Sequence, residues 1–184
     1  MFYFARQNLF GERGTIEVAW HTPITGELQW IRGVRFTRPV PHETLELDPA
    51  YGTNMADIFD TSVPLLSERL LTFIRSLGLD NVDAYPMTLK RKDTGALITG
   101  YSAVNVIGRV DAVDLSSSAH RLRFGKPYFT GSVTIDPQRC SGLEMFRLAS
   151  GPGFIVVSER VARALASGGF EALLVQPTVA YEGA

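Results

Sequence analysis

Leu65-Leu66-Ser67-Glu68-Arg69 decides how this chain is read, because it recurs as Val156-Val157-Ser158-Glu159-Arg160. The residues after each copy correspond too: Ser76-Leu77-Gly78-Leu79 answers Ser167-Gly168-Gly169-Phe170. One offset of 91 positions relates Ser67 to Ser158, Gly78 to Gly169 and Pro86 to Pro177. Each copy reads as a short apolar strand, a capped helix, a glycine and a second strand ending at a proline. Serine is a preferred N-cap, whose side-chain oxygen accepts from an unpaired amide of the first turn and is worth roughly 1 kcal/mol against alanine. Glu68 and Glu159 then sit at the positive end of the helix dipole, where Arg69 and Arg160 are less favourable and call for another role, such as an ion pair. The 3.6 period places Leu70, Phe73, Ile74 and Leu77 on one stripe of the first helix, and Val161, Ala164, Leu165 and Gly168 on the second. Gly78 and Gly169 stop the helices in a left-handed conformation. Either the unit is used twice, by duplication or by reuse, or a common helix start recurs by coincidence. A capping role accounts for both serines without making either a nucleophile.

The bulk properties exclude several classes. At 184 residues one domain, 1–184, is the default, with a β-rich sub-lobe 1–60 and a second, 61–184. The hydrophobic fraction of 45% is that of a folded protein, and a net charge of −1 gives no general attraction to nucleic acid or membrane. The single cysteine, Cys140, excludes an intrachain disulfide. His21, His42 and His120 lack ligand spacing, so no metal is expected. The apolar start, residues 1–5, is too short for a signal core or a membrane span, and a cytoplasmic protein is the expectation.

Along the chain, Phe2 to Ala5 reads as an edge strand. Ile16, Val18 and Trp20 alternate as a half-buried strand, and Leu28 to Phe36 as its hairpin partner. Residues 39–68 hold Glu43, Glu46, Asp48, Asp57, Asp60 and Glu68 with no lysine or arginine, and with Tyr51 and Phe59 as aromatics. This segment is either a solvated acidic loop or a contact surface for a basic partner. Strands are expected at Val82 to Leu89, Ala96 to Val110, His120 to Phe124, Ser132 to Ile135, Leu143 to Leu148 and Ala172 to Gln176, with a loose tail from Tyr181. The reading is an α+β fold: eight or nine strands in a mixed, mainly antiparallel sheet, two or three helices, and two repeated strand–helix–strand units. Each helix is long enough to cross between parallel strands.

Catalytic constellations are weak. Asp111 and Asp114, near Arg109, are paired carboxylates that in another setting hold magnesium or move protons. Here they adjoin a serine run and read as turn-forming or as partners of Arg109. Cys140 with His120 lacks any supporting spacing for a thiol–imidazole pair. Gly151-Pro152-Gly153 precedes a strand, so it is a turn and not a dinucleotide fingerprint, and no cofactor is expected.

Several stretches together resemble a known family. They are Tyr101-Ser-Ala-Val-Asn105 running on through Asp111-Ala-Val-Asp114-Leu-Ser-Ser-Ser118, then Ile135-Asp-Pro137, Leu143-Glu-Met-Phe146-Arg-Leu148, and Ile155-Val-Val-Ser158-Glu159 through Pro177. In this order they resemble immunity protein family eleven of bacterial polymorphic toxin systems, the myxobacterial-type immunity proteins. The likeness runs from about Thr61 to Val179, and Pro177-Thr178 departs from the family's closing Pro-Val. The resemblance implies a non-enzymatic protein that neutralises a cognate toxin by stoichiometric binding. On that footing Glu43, Glu46, Asp48, Tyr51, Asp57, Phe59 and Asp60 are the expected toxin-binding residues, facing a basic, nuclease-type domain. An enzyme using Asp111 and Asp114, and a small-ligand-binding or scaffold module, are the alternatives.

Overall fold

A computed structural model describes residues 1–8, 15–18, 30–61, 63–151 and 153–183. Its strands are β1 (Phe2–Gln7), β2 (Glu17–Val18), β3 (Thr44–Asp48), β4 (Ile58–Phe59), β5 (Leu65–Ser67), β6 (Val82–Arg91) and β7 (Leu97–Val106). They continue with β8 (Arg109–Val110), β9 (His120–Arg123), β10 (Lys126–Phe129), β11 (Met145–Leu148), β12 (Ile155–Ser158) and β13 (Leu173–Pro177). Two α-helices, α1 (Glu68–Ser76) and α2 (Glu159–Ser167), are present among the described residues. The strands form a five-stranded sheet β13-β1-β12-β11-β8, a six-stranded sheet β2-β3-β6-β7-β5-β4 and the separate hairpin β9-β10. Among the described strands only β8–β11 and β3–β6 pair in parallel, so the sheets are mixed and mainly antiparallel.

Both helices begin on the serines. Ser67 Oγ accepts from Leu70 N at 3.1 Å, and Ser158 Oγ from Val161 N at 3.4 Å. Gly78 and Gly169 follow the helix ends with φ of +83° and +60°, a left-handed backbone that costs glycine nothing. In each segment the two strands flanking the helix run parallel but are not neighbours. β7 lies between β5 and β6, and β1 lies between β12 and β13, antiparallel to both strands in each case. β6 runs through Pro86 instead of ending there. This is tolerated because β3 joins β6 only from Thr88 onward, so the missing amide hydrogen faces no ladder partner.

The period-2 alternation gives each sheet two covered faces. A central core takes Ala5, Val157 and Ile155 from the first sheet, Leu66, Val104 and Val106 from the second, and Leu70, Ile74, Val161 and Leu165 from the helices. Behind the second sheet, Trp30, Leu45, Leu47, Phe59, Leu65 and Leu89 form another core. Behind the first, Phe4, Val133, Phe146, Val156 and Tyr181 form a third.

Several expectations change. β1 is no edge strand, because β12 and β13 flank it on both sides. Trp30–Arg32 is a 3-10 turn, and strand structure is absent from 30–36, so the expected strand over Leu28 to Phe36 is not formed in its described part. Trp30 is buried against Phe36 and Tyr85, and ring packing governs the segment instead of a ladder. The long strand from Ala96 splits at Ile107-Gly108, where Gly108 (φ +106°) donates its amide to Gly33 O. Ser132 to Ile135 contributes a single bridge, Ile135 to Val113, and no strand. The tail is not loose at Tyr181, whose ring is buried edge-on against Phe4 and Phe154. Trp20 and His21 lie outside the described residues.

Candidate functional site

The acidic segment folds into something its local composition hides. β3 turns Leu45 and Leu47 inward and leaves Thr44, Glu46 and Asp48 on the outer side. Its parallel partner β6 sets Lys90 directly across from Glu46. Lys92 Nζ lies 3.2 Å from Asp48 Oδ2, and the other oxygen of Asp48 accepts from Ala50 N. The basic turn after β6 thus lies beside the acidic strand, and the carboxylates are partly matched within the chain. Glu43 is half-buried at the start of this rim. The side chain of Tyr51 is outside what the structure describes.

Asp57 and Phe59 are buried, and Asp60 is half-buried. Phe59 is 0% exposed and packs in the second core. Asp57, 7% exposed, accepts from the Ser67 hydroxyl, from Arg69, and from Glu171 N at 2.7 Å. Burial pushes its carboxyl up, but Arg69, Ser67 and the Glu171 amide together outweigh that and hold it below the ordinary value. The second serine repeats the arrangement with a different acid. Ser158 Oγ donates to Glu144 at 2.9 Å, and Arg160 pairs with the same carboxylate. Arg160 and, secondarily, Ser158 keep Glu144 low against the opposing effect of burial. Asp60 behaves oppositely: burial raises it to about 6, against the pull of Arg6 and Arg147. Arg147 is itself 0% exposed and lowered by burial to about 10, with Asp60 acting against the shift.

The two arginines that sit badly at their own helix starts serve the other helix. Arg69 Nη2 donates at 3.0 Å to Gly169 O, just past the end of α2, and Arg160 Nη2 donates at 3.0 Å to Leu77 O, at the end of α1. Each guanidinium satisfies a terminal carbonyl and meets the negative end of the opposite dipole. Arg69 also lies over the Phe170 ring at 4.7 Å.

The catalytic candidates are used structurally where their bonds are seen. Asp114 caps a 3-10 turn, accepting from Ser116 N and Ser116 Oγ, and the serine hydroxyls and amides hold it low. Asp111 is exposed, and Arg109 donates to Ala149 O. Cys140 is buried with its thiol on Asp136 O, while His120 Nδ1 lies 3.0 Å from Ser118 O. Among the described residues no group of three or more His, Cys, Asp or Glu is placed to hold a metal ion, and no helix is long and apolar enough to cross a membrane.

Two surface features were not singled out by sequence. An open cleft of about 410 Å³ lies beside α1 and the β6–β7 pair, lined by Glu68, Thr72, Arg75, Thr88, Tyr101 and others. The β9–β10 hairpin carries Leu122 and Phe124, 71% and 93% exposed. Leu122 between Arg121 and Arg123, followed by Phe124-Gly125, was the local signal.

The sequence matches the model of an immunity protein family, Imm11, over residues 20–177. The chain belongs to the Imm11 family. The match begins well before Thr61, so β3 and most of the second core are within the family region, while Ile16 of that core precedes it. Comparison with curated proteins finds no match. Imm11 membership points to an immunity function, which in general has a toxin as its object.

Proposed function

We propose that this Imm11 protein neutralises a cognate polymorphic toxin in the cytoplasm by stoichiometric binding, without catalysing a reaction. The family match over residues 20–177 carries this reading. The internal use of Ser67, Ser158, Asp114 and Cys140 supports the non-enzymatic part, since these groups already serve the fold. Protection inside a cell calls for about nanomolar affinity, roughly −12 kcal/mol, within reach of an interface of about 1,600 Å² that holds a few anchors. Glu43, Glu46 and Asp48 are the members of the expected binding set on the outer side of the fold. They are a candidate contact for a basic, nuclease-type toxin face. We also read the two strand–helix–strand segments as two uses of one unit, supported by the common offset and the reciprocal arginine contacts.

The test is co-expression with the C-terminal region of the protein encoded by the neighbouring gene. Rescue of growth and co-purification are expected, and loss of both would end the reading. Reversing Glu43, Glu46 and Asp48 to lysine should slow association, since rim charges act mainly on the on-rate. An unchanged on-rate removes that rim from the interface. The cleft beside α1 favours a second reading, a small-ligand-binding module, because its volume is within the range of ligand pockets. Filling it by Thr72→Trp would leave toxin neutralisation intact on the first reading and abolish function on the second.

A further inference from the structure

The β9–β10 hairpin stands apart from both large sheets. Its register pairs Arg121 with Tyr128, Leu122 with Pro127 and Arg123 with Lys126. Alternation therefore separates its faces. Arg121, Arg123, Lys126 and Tyr128 share one side, while Leu122 and Pro127 share the other with Phe129, which is buried in the third core and anchors the base. No aspartate or glutamate occurs from Leu115 to Ile135, in a chain whose net charge is −1. Arg121 and Arg123 lie over the Tyr128 ring at 5.1 and 5.9 Å. Stacking of this kind pre-orients guanidinium forks for carboxylates.

The tip is the more telling feature. The two-residue loop is Phe124-Gly125 with φ of +51° and +72°, the sign pattern of a type I′ turn. That turn favours asparagine or aspartate before the glycine, and a bulky residue in the left-handed region is strained. Phe124 is also 93% exposed. Neither the backbone nor burial accounts for phenylalanine here. Local rules are broken in this way where function requires the side chain.

We propose that this hairpin is a docking knob: Phe124 enters an apolar pocket on the toxin, and Arg121, Arg123 and Lys126 meet carboxylates around its rim. The assignment rests on the immunity reading and names the chemistry of the partner surface, acidic where the knob lands. Charge complementarity favours a protein over a nucleic acid or an anionic bilayer. Those extend beyond the hairpin and meet the carboxylates of a net-negative chain, whereas a protein can place its acid only opposite the knob. The knob belongs to the third core and the Glu43–Asp48 rim to the second, on opposite sides of the central core, so the two candidate contacts make opposite demands on the toxin's charge.

The experiment titrates the full chain, by calorimetry, with a catalytically inactivated form of the toxin region encoded beside its gene. It compares the unaltered chain with Phe124→Asn and with Arg121→Glu/Arg123→Glu. Asparagine suits the turn, so Phe124→Asn should melt no lower than the parent. It should bind the toxin about 30-fold more weakly or worse, as expected for an anchor residue. The double reversal should weaken binding further and flatten its salt dependence. Parent-like affinity in both variants overturns the knob while leaving the immunity reading intact. No binding by the unaltered chain overturns both. Binding of the parent to phosphatidylglycerol vesicles, lost in Phe124→Asn while toxin binding is kept, reassigns the tip to a membrane and also overturns the proposal.

Discussion

Asp57 and Asp60 are three residues apart and respond to acid in opposite senses. Asp57 sits low because Arg69, Ser67 and the Glu171 amide outweigh burial. A folded value below the unfolded one gives stability that is present above the unfolded pKa and lost as pH falls through the folded value. Replacing Asp57 by alanine removes an acceptor that three groups share, and we expect a loss of about 3 kcal/mol in urea unfolding, part of the full range because Arg69 can turn to water. Asp60 is raised to about 6 from 3.8. Between those values the folded state holds a proton that the unfolded state does not, so its contribution falls as pH rises through that window. The urea midpoint of the parent should therefore drop between pH 4 and pH 6 relative to Asp60→Asn; parallel curves would refute the assignment. The serine caps were legible because a cap is a local bond. Asp57 was not, since its partners lie at positions 67, 69 and 171, and composition alone presented it as a surface charge.

Among elements, the helices were the most readable and the strands near them the least. Ser67 and Ser158 mark both starts, and Gly78 and Gly169 both ends, because capping and left-handed glycine depend on a few neighbouring residues. β3 was hidden because Glu46 and Asp48 made a half-buried strand look like a loop. Its alternation with Leu45 and Leu47 was the available signal. β10 was missed because Pro127 stands within it, which an edge strand tolerates. What no local pattern carried was the exchange of arginines between the helices. Since Arg160 donates to the end of α1 and Arg69 to the end of α2, each substitution should act across the pair. Arg160→Ala should speed amide exchange at Leu77 and Gly78 more than at the start of α2, by about 3- to 10-fold as helix ends fray. Arg69→Ala should do the same at Gly169 and Phe170. Faster exchange confined to the mutated helix would show that the contacts do not stabilise the opposite terminus.

At the scale of the molecule, the sequence divides more readily than the structure does. A β-rich beginning and a family-like remainder describe the order of residues, but β1 lies between β12 and β13, over 140 positions further along by number. The central core then draws on both sheets and both helices at once: Ala5 and Val157 face Leu66 and Val104 across Leu70 and Leu165. Residues 61–184 alone would lose β1, leaving β12 and β13 with no strand between them, and would lose β3 from the second sheet. Exposed ladder edges and a half-filled core leave too little buried apolar area to offset chain entropy. We expect the fragment 61–184 to lack near-ultraviolet dichroism. The full chain should unfold in one transition, coincident by near- and far-ultraviolet signals. Leu165→Ala, which empties volume where both sheets meet, should lower both midpoints together by an amount equal to about 2–5 kcal/mol. A folded fragment, or two separated transitions in the full chain, would mean that the shared core does not couple the sheets.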